Sequence, residues 1–121
     1  MKKLLLITSV LFALHVNAQK AYDLYIYKGS WGNFFVTLNY AHGYHKATEI
    51  ITVHKKSGAR QVYTVDVDNT TDEFVYLYSE KNETVFKLPN LEYEDNTPKA
   101  LIITIMFNDT EEDFKVYKKA K

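Results

Sequence analysis

The sequence predicts an all-β protein, a two-sheet antiparallel β-sandwich of immunoglobulin-like architecture with seven or eight strands. Three observations carry that prediction. Nearly every apolar segment is short and rich in Val, Ile, Thr, Tyr and Phe, the residues that fit a pleated, half-buried surface. Each segment is bounded by Gly, Pro, Asn, Asp or Ser, which supply turns with backbone freedom or local hydrogen bonds. The segments also recur every 10 to 15 residues in a chain of 121, which is the rhythm of strands and too little length for two domains. A small eight-stranded closed β-barrel is the alternative. The chain has no cysteine, so the buried Trp between paired cysteines that marks true immunoglobulin domains is missing. The analogy is one of architecture only.

The first segment differs from the rest. "MKKLLLITSVLFALHVNAQ" places Lys2 and Lys3 before an apolar run at 4–14, followed by Val16, Asn17 and Ala18. That pattern is a cleaved secretory signal peptide over 1–18, with small residues where signal peptidase reads them. The run covers 11 residues, against the roughly 20 that span a bilayer. The mature domain, 19–121, is therefore expected in the periplasm or outside the cell, with no membrane span. No Cys follows the cut, so a lipid anchor is not expected.

Eight strands follow, at 22–28, 33–41, 47–55, 60–67, 73–79, 84–88, 100–107 and 113–118. In the first, Leu24 and Ile26 alternate with Tyr25 and Tyr27, and the aliphatic pair is expected to face the core. The second sets Phe34, Val36, Leu38 and Tyr40 against Asn33, Thr37 and Asn39, interrupted only by Phe35. In the fifth, Val75 and Leu77 oppose Phe74, Tyr76 and Tyr78. In the seventh, Leu101, Ile103, Ile105 and Phe107 oppose Ile102 and Met106. The first, fifth and seventh strands are thus apolar on both faces, and in a sandwich something must cover the outer one.

Composition narrows the function. Removing the signal leaves 13 basic against 15 acidic residues, a balance with no electrostatic footprint for nucleic acid. There is no nucleophile elbow, no Gly-rich phosphate loop and no H-E-x-x-H. The expectation is a non-catalytic binding module without a cofactor. Ten tyrosines and one tryptophan are the compositional anomaly, because Tyr and Trp anchor protein interfaces and stack on sugar rings. The candidate binding face is Tyr25, Tyr27, Trp31, Tyr76 and Tyr78, with Trp31 in a Gly-flanked turn. A protein partner or a homo-oligomer is the first expectation and carbohydrate the second.

A further alternative is a metal-dependent protein or small hydrolase. If consecutive strands alternate direction, His42, His45, Asp66, Asp68 and Asp72 emerge at one end, along with Glu92, Glu94 and Asp95. Long loops at that end, held by a rigid scaffold, are where binding residues commonly sit. His54 lies at the opposite end, roughly 30 Å away at about 3.3 Å per residue, so it cannot complete a three-histidine site. The acidic run also fails as an EF-hand, with Thr71 where Gly is needed and Leu77 where a bidentate Glu belongs.

Overall fold

The computed structural model describes residues 22–92 and 94–120. The signal peptide and its cleavage point lie outside the described residues. All eight expected segments are strands: β1 (Asp23–Trp31), β2 (Phe34–His42), β3 (Glu49–His54), β4 (Arg60–Val65), β5 (Phe74–Tyr78), β6 (Val85–Pro89), β7 (Ala100–Phe107) and β8 (Thr110–Lys118). They form one closed antiparallel barrel in simple meander order, each strand beside its sequence neighbour and β8 beside β1.

The expected sandwich is thereby corrected to the closed barrel, and the seam that closes it shows why. Gly29, read from sequence as the start of a turn, lies inside β1 and pairs with Val116 of β8. A Cβ at Gly29 would come within 2.6 Å of the Lys115 carbonyl oxygen and 2.8 Å of a Val116 methyl. A glycine in a strand interior marks such a close backbone approach. It lets β8 dock on β1, and a closed sheet has no edges to protect.

Local turn chemistry fixes the hairpins. Gly32 (φ 55°) and Asn33 connect β1 to β2. Asn108 (φ 49°) and Asp109 (φ 61°) form a two-residue connection with both residues left-handed, the arrangement whose twist matches paired strands. This tight turn extends β8 back to Thr110, three residues earlier than the sequence suggests. At the seam between β4 and β5 only Thr64–Tyr78 and Val65–Leu77 pair.

Closure also decides which side chains are inside. Val36, Leu38, Tyr40, Val75, Leu77, Leu101, Ile103 and Ile105 point into the barrel as expected. On β1 the expectation is reversed. Tyr27 is fully buried and Tyr25 packs against the core, whereas Leu24 is 47% exposed. The outer wall carries cross-strand polar pairs, such as Asn39 donating to Glu49 at 3.1 Å and Thr104 donating to Asp113 at 2.6 Å. Among the described residues no helix is long and apolar enough to cross a membrane.

Candidate ligand-binding mouth

Meander order puts the long connections, β2–β3, β4–β5 and β6–β7, at one end and the four short hairpins at the other. The long-loop end is sealed. Leu91 of the β6–β7 connection is buried in the core cluster, and its N–H donates to the Tyr40 hydroxyl at 2.7 Å. Tyr27 donates to the Pro98 carbonyl at 2.6 Å. Lys118 donates to the carbonyl and hydroxyl of buried Thr97 at 3.0 and 2.7 Å, and its ammonium lies 4.9 Å from the centre of the Tyr25 ring. Burial pushes the Tyr40 phenol from 10.0 up to about 12, against the opposing pull of the Leu91 hydrogen bond. Burial raises Tyr27 as well.

Of the histidines and acids named from sequence, His42, His45, Glu92 and Glu94 belong to this seal. His42 Nε2 donates to the Glu94 carbonyl at 2.7 Å, and His45 Nδ1 meets a Glu92 carboxylate oxygen at 2.7 Å. Asp66 organises its own turn, accepting from the Asn69 amide at 2.6 Å, while Asp68 and Asp72 are exposed. Among the described residues no three His, Asp or Glu side chains gather closely enough to hold a metal ion. His54 is at the other end, where its Nδ1 accepts the Lys56 and Ser57 N–H groups at 3.2 Å each.

The hairpin end is different: none of its connections is longer than six residues, whereas the sealed end has connections of eight and ten. Here the barrel opens on a cleft of about 410 Å³. Its floor is Phe86 and Tyr63, both buried, with ring centres 4.7 Å apart in an edge-to-face contact. Trp31 and Phe34, stacked at 6.2 Å across the β1–β2 turn, make one wall. Phe107, at the end of β7, is exposed at the rim, and Arg60, Gln61, Asn82 and Thr84 also line the cleft. Trp31 is held by its indole N–H, which donates to Glu112 at 2.9 Å, and Asn82 donates to the Tyr63 hydroxyl at 3.1 Å.

The five aromatic residues expected to share an outer face are therefore divided. Tyr25 and Tyr27 face inward at the sealed end, so their placement on the outer face is corrected: their hydroxyl-bearing rings fill the interior while Leu24 and Ile26 take the outer wall. Trp31 ends a strand, not a turn, and lines the mouth. Tyr76 and Tyr78 do lie on the outer wall, where Tyr78 pairs laterally with Val85 and Val85 with Met106. Of the mouth residues, sequence reasoning singled out Trp31 alone. The missed signal is the alternation of strand direction applied to the short turns, which brings the aromatic residues flanking them to one end.

No protein family, curated protein or solved structure matches the chain. The site is therefore read from its own chemistry.

Proposed function

We propose that the protein is an exported, non-catalytic binding barrel that takes a small, ring-bearing, largely apolar ligand into its hairpin-end mouth. One observation carries the reading: an aromatic cleft of about 410 Å³ at the single end that no loop covers. Ligand clefts typically run from about 300 to 1,000 Å³, are lined mostly by apolar and aromatic side chains, and favour the mouths of β-barrels. Export is supported by the basic and apolar segment at the start of the chain. The ionisable residues lining the cleft are Arg60 and Tyr63.

Trp31 is the chain's one tryptophan, so its emission reports on the cleft directly. Titration with a panel of small cyclic compounds should give saturable shifts for some of them. Phe107→Ala, at an exposed rim position, should weaken those by about tenfold while leaving the melting temperature unchanged. Unchanged emission across the whole panel, or shifts of equal midpoint in Phe107→Ala, would count against the reading.

A second reading, self-association through the outer wall, is favoured by the lateral row Tyr78, Val85 and Met106 beside half-buried Tyr76. Light scattering on Tyr76→Ser/Tyr78→Ser tests it: an unchanged mass with a retained fold excludes that surface.

A further inference from the structure

The cleft's polar groups are few, and the structure leaves several of them unspent. Thr52 is only 6% exposed, lines the cleft from β3, and its hydroxyl has no hydrogen-bond partner among the described residues. The Thr84 hydroxyl is in the same state. Tyr63 accepts from Asn82, which leaves its own proton uncommitted. No side-chain polar atom is both buried and unpaired among the described residues, so these hydroxyls open onto the cleft, where each can donate to or accept from a bound molecule.

Arg60, the chain's only arginine, is the one charged residue lining this cleft; it opens β4 at the rim, where it also borders the outer wall beside Val62 and Thr64, and no ion pair engages it among the described residues. Glu112, the acid beside the Trp31 wall, accepts the indole N–H on one carboxylate oxygen and makes no ion pair with Arg60. A guanidinium offers a planar fork of donors that matches a carboxylate through two parallel hydrogen bonds. One fixed positive charge balances one negative charge. A phosphate monoester, at about −1.5 to −2 near neutral pH, would be left undercompensated at a largely apolar opening.

Resting on the cleft reading above, we infer that the ligand is an amphipathic monocarboxylate: its ring lies among Trp31, Phe34 and Phe86, and its carboxylate is held at the rim by Arg60. The Thr52 and Tyr63 hydroxyls serve any polar edge of the ring that reaches the floor.

Two isosteric probes, hydrocinnamate and hydrocinnamyl alcohol, separate this inference from the reading beneath it, since they share a ring and a chain and differ in charge. Trp31 emission on the full mature protein should show the acid binding about tenfold more tightly than the alcohol, the usual scale for one charge-assisted hydrogen-bonded pair. Arg60→Met should bring the two affinities to within about twofold, and Arg60→Lys should restore part of the preference. Melting temperature should be unchanged in both variants, because Arg60 is exposed. Equal binding of acid and alcohol, or a preference that survives in Arg60→Met, overturns the inference and leaves the cleft reading standing. No emission change with either probe takes down both.

Discussion

The two ends of the barrel are built from the same strands yet differ in how they treat polar groups. At the long-loop end every hydroxyl that enters the interior is committed: Tyr40 accepts from Leu91, Tyr27 donates to Pro98, and Lys118 ties Thr97 down. At the hairpin end the Thr52 and Thr84 hydroxyls have no partner among the described residues, and the Phe107 ring at the rim is exposed to solvent. The difference begins with chain length between strands. A ten-residue connection can send Leu91 and Thr97 back into the barrel, whereas a two-residue turn cannot cover anything. One end thus spends its hydrogen-bonding capacity within the chain, and the other leaves part of it uncommitted.

The contrast breaks most visibly at the plug. Leu91→Ala should cost about 2 to 5 kcal/mol, the range for truncating a buried Leu, and lower the melting temperature by roughly 10 °C or more. Phe107→Ala at the mouth should stay within about 0.5 kcal/mol, as exposed substitutions usually do. Thermal denaturation of the pair measures both. Comparable losses would mean that the two ends are not distinct.

Tyr40 gives the next largest effect. Tyr40→Phe leaves the Leu91 N–H buried without an acceptor and should cost about 1 to 3 kcal/mol. It should also change the alkaline limb of the stability curve. The Tyr40 phenol titrates at 10.0 in the unfolded chain and at about 12 in the folded one, so between these values the folded state holds the proton that the unfolded state has released. Stability from this group is complete below pH 10 and falls as pH rises toward 12, by roughly 2 kcal/mol. Denaturant melts of wild type and Tyr40→Phe across that window should converge as pH rises; parallel curves would refute the assignment.

The smallest effect is the sharpest test of the mouth. Thr52→Val removes a hydroxyl that bonds nothing within the chain and replaces it with a methyl of similar shape. It should leave stability unchanged or raise it by a few tenths of a kcal/mol. A loss of 1 kcal/mol or more would show that Thr52 has an internal partner.

Strand positions were legible in the sequence because alternation over five to nine residues is a local signal. β7 was read to the residue, and β2 differs by one residue at each end. Closure was not legible, since the β1–β8 pairing joins opposite ends of the sequence and depends on Gly29, which local chemistry reads as a turn. The inversion on β1 follows from the same limitation: hydropathy ranks Leu24 and Ile26 above Tyr25 and Tyr27, yet the sealed end needs long side chains whose tips can meet the plug. The grouping of His42, His45, Glu92 and Glu94 at one end followed correctly from strand alternation. Their use could not, because whether a histidine meets a metal or a neighbouring loop depends on how that loop folds back. The mouth draws on four hairpins separated in sequence, so only its tryptophan stood out.

The closing seam has a consequence for chain order. Since β8 pairs with β1 as its other neighbours pair with one another, the eight strands form a ring in which the peptide chain has to be interrupted somewhere, and in this protein it is interrupted between β8 and β1. Asp23 and Lys118 therefore emerge at the sealed end on adjacent strands. A short linker joining them, with new termini opened at the exposed Ser57–Gly58 turn, would preserve every pairing; exposed loop tips are where such permutations succeed. In that permuted chain the Gly29–Val116 contact would lie within a hairpin, and the distant pairing would pass to β3 and β4. The architecture belongs to the cycle of strands, and the order in which the ribosome delivers them is incidental to it.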